Sequence, residues 1–258
     1  AGAKEPGAMR LPVPAQPTEV TELAGNFNEL LSMLNERQEQ QKLFVMNAAH
    51  ELRTPIATIR SHAQLIERHG KDHPEIITKS VGYITEESRQ MQHLIDELLQ
   101  LSRADRLALD LTPLDLSATV TTIMQKIAGT FEQTVTTEIQ PDIHITGNES
   151  AIEQILVNLV TNAAKYSPAA SQITVTLTQQ ANEAAALAVK DQGSGISAED
   201  KSHIFERFYR SADVRGTVAG TGLGLAIATQ LAQLSNSELT VADDQPQGTI
   251  FTLIFSTK

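Results

Sequence analysis

The stretch Val45–Ile66, VMNAAHELRTPIATIRSHAQLI, decides the architecture of the first half of the chain. Its apolar residues Val45, Ala49, Leu52, Ile56, Ile59, Ala63 and Ile66 recur in alternating steps of four and three without a miss. That spacing is the seam of a coiled-coil helix. A turn signal follows at Gly70-Lys71-Asp72-His73-Pro74. Ile77, Val81, Ile84, Ser88, Met91, Ile95 and Leu98 then repeat the same alternation. Two long helices joined by a short turn form a helical hairpin. One hairpin alone buries only part of each seam. Ordering a residue costs about 1–2 kcal/mol of backbone entropy, and a fully buried Leu or Ile returns about 1.5–3 kcal/mol. Two paired hairpins close the seams into a four-helix bundle, so the pattern predicts a homodimer. The alternative cover for the seam is the chain's own C-terminal half.

Upstream, Val20, Leu23, Phe27, Leu30 and Leu34 form a shorter stripe, with Thr18 placed to cap its helix. The polar run Asn35–Lys42 carries that helix forward. The step from Leu34 to Val45 is a four-residue stutter between the two stripes. Pro12, Pro14 and Pro17 keep the lead-in extended, and Ala1–Met9 (AGAKEPGAM) reads as an expression remnant.

Composition narrows the function. A formal charge of -11 over 258 residues excludes a nucleic-acid surface, which needs clustered positive charge. With no cysteine, disulfides and thiolate metal sites are excluded. No apolar run approaches the ~18 residues of a membrane span, and the start lacks the apolar core of a signal peptide, so this piece is expected to be soluble.

Beyond the hairpin the periods mix. Pro113 breaks the helical pattern inside Leu107–Leu116, which reads as a linker. Helices are predicted over Ser117–Phe131, Glu149–Tyr166 and Gly222–Leu234. Strands are predicted over Val135–Ile139, His144–Thr146, Ile173–Thr178, Ala186–Val189, Leu239–Ala242 and Thr249–Phe255. The expected fold is multidomain: an all-α hairpin, then an α+β sandwich with helices on one face of a mixed sheet. The boundaries are a lead-in over 1–17, a coiled-coil helix over 18–40, the hairpin over 41–107, a linker over 108–116 and the sandwich over 117–258.

Four strings carry chemistry. His50 and Thr54 lie one turn apart, off the seam marked by Ala49 and Leu52, and so face outward. An exposed imidazole is mostly neutral at pH 7 and keeps a nucleophilic lone pair. Glu51 beside it suits a carboxylate that holds the other ring N–H, and Pro55 is expected to bend the helix there. In NLVTNAAKYSP, Asn158, Asn162 and Lys165 share a helix face; amide oxygens suit Mg2+ and Lys165 suits phosphate. Asp191-Gln-Gly193-Ser-Gly195 follows a strand, where Asp accepts from an exocyclic amine and the glycines admit a flat ring. Gly220-Thr-Gly222-Leu-Gly224-Leu opens a helix whose N–H groups suit phosphates. It is neither a dinucleotide fingerprint nor a P-loop, because no strand directly precedes it and no Gly-Lys-Ser/Thr follows.

The string His50-Glu-Leu-Arg-Thr-Pro55 resembles the phosphoacceptor motif of sensor histidine kinases with a helical-hairpin dimerization domain. The Asn box, the D-x-G-x-G turn, FERFYR at Phe205–Arg210 and the GTGLGL lid stand in the order of their ATP-binding domain. That GHKL (Bergerat) fold is shared with the gyrase, HSP90 and MutL ATPases. The resemblance covers roughly Phe44–Phe255 and implies ATP and Mg2+ as cofactors, with autophosphorylation on His50. It implies Glu51 as acid/base partner and Thr54 as a residue that orients water when the partner is dephosphorylated. It implies Asn162 on Mg2+, with Asn158, Lys165 and Tyr166 along the phosphates. Asp191 would read the adenine amine, with Gly193 and Gly195 shaping that pocket. Arg210, and second to it Arg207, would meet the γ-phosphate. Gly220, Gly222, Leu223 and Gly224 would form the lid, with Phe205 and Phe208 as core residues at its base. The phosphoryl group would pass to an Asp of a response regulator docked near His50. Glu19–Leu34, with FNELL at Phe27–Leu31, is similar to the second helix of a HAMP linker, which implies a membrane anchor in the whole protein. One departure is Ser235-Asn-Ser237 in place of the family's usual Gly pair, with a local loop difference expected. Two other classes remain open on the residues: an ATPase clamp without phosphotransfer, against which HELRTP counts, and a scaffold with a decayed nucleotide fold, against which the intact Asn162, Asp191 and lid glycines count.

Overall fold

The computed structural model describes residues 18–104, 109–127, 129–180, 184–214 and 218–255. The lead-in over 1–17, with Pro12, Pro14 and Pro17, and the side chains of Thr18 and Val20 lie outside the described residues. The chain divides into two units, Ala1–Ser88 and Arg89–Lys258.

Helix α1 (Thr18–His69) runs as one 52-residue rod through the expected boundary at residue 40 and through Pro55. The expected bend at Pro55 does not interrupt the helix. One turn on, the Thr58 hydroxyl donates to the Thr54 carbonyl at 3.3 Å. The turn forms at Gly70, whose N–H donates to the Ile66 carbonyl at 2.8 Å. A Cβ there would stand 2.5 Å from that same oxygen, so glycine is required. Helix α2 (Pro74–Ala104) then starts with Pro at its first position and Glu75 in its first turn. Across the hairpin, His62 Nδ1 lies 3.3 Å from the hydroxyl of buried Ser80, and the His62 and Tyr83 rings stack at 4.6 Å. The predicted seams stay largely in water: Val45 is 60% exposed, Ile56 51% and Val81 48%.

The second unit is a mixed five-stranded sheet in the order β2-β4-β5-β7-β6. Its strands are β2 (Thr134–Ile139), β4 (Gln172–Gln179), β5 (Ala185–Lys190), β6 (Ser237–Asp243) and β7 (Thr249–Phe255). Only β2 and β4 pair in parallel. Helices α3 (Leu116–Ile127), α4 (Glu149–Tyr166) and α5 (Gly224–Leu234) supply the facing layer. Strand β7 alternates without exception, with Phe251, Leu253 and Phe255 inward. They meet Ile152, Ile155, Leu156 and Leu159 of α4 in one core. Asn148 caps α4 by accepting from the Ala151 N–H at 3.0 Å.

Three expectations need correction. The linker assigned to 108–116 contains strand β1 (Thr112–Asp115), antiparallel to β3 (His144–Gly147) in a separate two-stranded sheet. Pro113 sits opposite Thr146, and an edge strand tolerates its missing N–H. Helix α3 ends at Ile127 rather than Phe131. Helix α5 starts at Gly224 rather than Gly222, because Gly222 holds φ +74 and cannot be helical. The Ser235-Asn236-Ser237 departure also finds its reason. Asn236 takes φ +52 at the helix end, the left-handed conformation a glycine would supply, and its N–H donates to the Gln233 carbonyl.

Candidate nucleotide pocket and phosphoacceptor

A cavity of about 730 Å3 opens between α4, the end of β5 and the segment leading to α5. Asp191 forms its deep end and is only 4% exposed. Its Oδ1 accepts from the Gly193 N–H at 2.8 Å and the Thr249 N–H at 3.2 Å. Both bonds fall on one oxygen, which leaves Oδ2 as an acceptor for an amine. Burial pushes the Asp191 carboxyl above its ordinary value, and the two backbone donors pull the other way. The floor admits no side chains. A Cβ on Gly193 would stand 2.6 Å from the Tyr166 carbonyl oxygen, and one on Gly248 would overlap the Asp191 carbonyl. The residues thus fit a flat ring bearing an exocyclic amine.

From α4, Asn162 and Tyr166 line the cavity. Asn158 is turned to the start of α5, where its amide donates to the Gly224 carbonyl at 3.0 Å. Lys165 Nζ lies beside the lid, 3.9 Å from where a Cβ on Gly220 would be. Arg210 lines the cavity and donates to three lid carbonyls: Gly220 at 2.8 Å, Val214 at 3.2 Å, and Val218. Arg207 instead reaches Gln230 on α5 at 3.4 Å and is not among the lining residues. Leu223 is fully buried, so its side chain anchors the lid in the core, and only its backbone could face a phosphate. That backbone N–H donates to Thr221 Oγ1 at 3.2 Å, and the same hydroxyl donates to Glu97 Oε2 at 2.7 Å. Lining acids are Asp191, Asp200, Asp213, Asp243 and Asp244, against Arg210 as the cation. A polyphosphate placed here needs a further positive charge. Among the described residues no cluster of three His or acidic side chains could hold a metal by itself. Asn162, which lines the cavity, offers an amide oxygen of the kind that hard cations take.

In the other unit, the His50 side chain is 73% exposed on α1, and its Nδ1 lies 3.9 Å from Glu51 Oε1. Thr54 is also exposed, one turn along the same face.

Residues 40–107 match the family profile described as His Kinase A (phospho-acceptor) domain. Residues 147–258 match the one described as histidine kinase-, DNA gyrase B-, and HSP90-like ATPase. The sensor histidine kinase YkoH of Bacillus subtilis is 35% identical over 241 residues, 92% of this chain and 52% of the relative. The signal transduction histidine-protein kinase ArlS of Staphylococcus aureus is 32% identical over 247 residues, 92% of this chain and 53% of the relative. The chain carries the two domains of a histidine kinase core. It spans about half the length of the curated relatives it matches. Two solved kinases share the fold. ThkA, crystallised in complex with the response regulator protein TrrA, gives a TM-score of 0.70 at 21% identity, over 86% of this chain and 63% of that one. AdeS of Acinetobacter baumannii gives 0.59 at 24% identity, over 80% of this chain and 97% of that one.

As a kinase core, the chain brings Asn162, Tyr166, Asp191, Gly193, Gly195 and Arg210 to one cavity, with Lys165, Asn158 and the lid glycines at its lid side. The motif reading missed Thr249, Ile196, Asp200 and Tyr209, which line the same cavity. Thr249 was within reach, since it opens the strand predicted over Thr249–Phe255. Asp200 lies in a single 3-10 turn (Asp200–Ser202) that no periodicity announces.

Proposed function

We propose that this chain is the catalytic core of an ATP-dependent protein-histidine kinase that phosphorylates its own His50. The observation that carries the reading is an exposed, carboxylate-flanked imidazole in the phospho-acceptor segment of a chain that also holds an amine-reading nucleotide cavity. The 3.9 Å approach of Glu51 to Nδ1 supports Nε2 as the attacking atom. An N–P bond forms at Nε2 while the bond from the γ-phosphorus to the ADP oxygen breaks. The imidazolium then loses its Nδ1 proton, and Glu51 is the base within reach.

In the cavity, Asp191 Oδ2 takes the adenine amine, and Gly193, Gly195 and Gly248 let the ring seat against backbone. Asn162 would hold Mg2+, which supplies positive charge between the phosphates. Asn158, Lys165 and Tyr166 flank the phosphate side, and the lid from Gly220 to Gly224 covers it. Arg210 is the γ-phosphate contact, with Arg207 too far round α5 to share that role without moving. Catalysis here is mainly positioning and charge stabilisation.

The exposed seams of α1 and α2 support a homodimer, in which a second hairpin buries them. The phosphoryl group would pass to an Asp of a response regulator docked near His50, and Thr54 would orient the water that hydrolyses the phosphorylated partner in the phosphatase reaction. The likeness in fold to ThkA, crystallised with TrrA, supports that partner. No helix among the described residues is long and apolar enough to cross a membrane. The HAMP-like stripe of α1 and the half-length match to sensor kinases support a membrane-anchored whole protein, with this part in the cytoplasm.

The test is incubation with γ-labelled ATP and Mg2+. Acid-labile, alkali-stable label should appear on the wild type and be lost in His50→Ala. Hydrolysis with no label on the protein would instead establish the clamp-type ATPase, and absence of nucleotide binding would establish the scaffold.

A further inference from the structure

The lid leaves the fold at Phe208–Arg210, and its geometry there is held under constraint. Phe208 adopts φ +65, which a bulky side chain rarely takes unless its surroundings impose it. Its N–H donates to the Gly222 carbonyl at 2.9 Å, so the two ends of the lid are tied together. Gly222 itself has φ +74, and a Cβ on it would stand 2.7 Å from the Tyr209 carbonyl oxygen. The remaining hold comes from outside the lid. The Tyr209 hydroxyl donates to Asp200 Oδ1 at 2.6 Å. Asp200 is fixed in turn by Ser197, whose hydroxyl donates to Oδ2 at 2.7 Å and accepts from the Asp200 N–H at 3.0 Å. His203 stacks on the Tyr209 ring at 5.5 Å. The next residue, Arg210, carries the hold into the lid through the Gly220, Val214 and Val218 carbonyls.

We propose that Asp200 is a positioning residue for the nucleotide lid: through the Tyr209 hydroxyl it fixes the backbone from which Arg210 and the lid are suspended. The proposal rests on the nucleotide reading of the cavity, which both residues line. The Asp200 carboxyl lies below its ordinary value, first because of the Tyr209 hydrogen bond and second because of Ser197. It therefore serves as a charged acceptor, the stronger kind of hydrogen-bond partner. Asp200 makes no contact with reacting atoms in this role. It acts on the γ-phosphate end of the site by way of Tyr209 and Arg210.

The experiment measures MgATP and MgADP affinities by titration calorimetry on the full chain. The variants are Tyr209→Phe, Asp200→Ala, Asp200→Asn and the double variant Asp200→Ala/Tyr209→Phe, with lid-amide hydrogen exchange read alongside. Tyr209→Phe and Asp200→Ala should each weaken ATP about tenfold, the scale of one lost bond to a charged group, and leave ADP within about twofold. Asp200→Asn keeps an acceptor oxygen and should recover most of the loss. The double variant should be no worse than either single one, because both cut the same bond. Exchange should quicken in the lid and not in α4. Wild-type ATP affinity in the variants would overturn the positioning role alone. Equal losses of ATP and ADP with a lowered Tm would reduce the pair to a general brace and also overturn it. A wild type that binds neither nucleotide would overturn the nucleotide reading and this inference with it.

Discussion

The two regions treat the same kind of residue in opposite ways. In the sandwich, Leu159, Leu187 and Leu253 are fully buried, and β7 alternates from end to end. In the hairpin, Val45, Ile56 and Val81 are about half or more exposed, although their spacing is more regular than anything in the sandwich. Apolar area left in water contributes nothing to folding. The sandwich thus buries its apolar residues in its own core, and Leu94 and Leu101 of α2 are buried as well, while the exposed seam residues of the hairpin are arranged for something the single chain does not supply. Periodicity reports which residues want cover; it does not report whether the cover lies in the same chain.

The largest effect that would break this contrast is expected in the core of the sandwich. Leu159→Ala should destabilise it by about 2–5 kcal/mol, the usual range for a buried Leu truncation, as read by chemical denaturation. Val81→Glu should leave that transition in place and act on association. Light scattering should show the wild type as a dimer and the variant shifted toward monomer. A monomeric wild type with no concentration dependence of the hairpin's melting would remove the homodimer.

A smaller effect separates stability from function inside the sandwich. Asp191 is buried and held above its ordinary pKa, so its ionised form costs the native state stability. The native state binds this proton more tightly than the unfolded chain. Stability is therefore gained as pH falls through the native pKa, and the cost is fully present well above it. Asp191→Asn keeps an oxygen for the Gly193 and Thr249 N–H groups but replaces Oδ2 with a donor. It should be as stable as the wild type or more so at pH 7, by about 1 kcal/mol or less. That margin should shrink toward pH 4, and nucleotide binding should be lost throughout. Thermal melts across pH, with and without MgATP, read all three. A variant that melts well below wild type at pH 7 would mean the two backbone bonds outweigh desolvation.

The hairpin, the layer arrangement and the principal pocket residues were legible because each rests on a local rule. A seam needs only its spacing, and Asp191 needs only a strand end and two glycines. The misread parts depend on partners distant in sequence. Pro113 looked like a break because proline removes a donor, and it became a strand because Thr146 offers an edge where that donor is not needed. The Asp200–Tyr209 bond could not be read from either residue, since a 3-10 turn and a lid base have no period. Arg207 stood second to Arg210 in the sequence, on the order of the family motif alone. Geometry separates them, with one against α5 and the other at the cavity.

The smallest effect concerns a single backbone angle. At the end of α5 the family's usual glycine pair is absent, yet Asn236 holds φ +52. Glycine enters that region without steric cost, asparagine enters it with little, and alanine pays about 1–2 kcal/mol for its Cβ. Asn236→Gly should therefore melt within about 0.5 kcal/mol of wild type, the size of an ordinary surface change. Asn236→Ala should lose about 1 kcal/mol or slightly more, with MgATP affinity unchanged in both, since the residue lies outside the cavity lining. If alanine were as stable as asparagine, the left-handed angle would not be what selects this residue. If glycine were clearly worse, the Asn side chain itself would have to be holding the helix end.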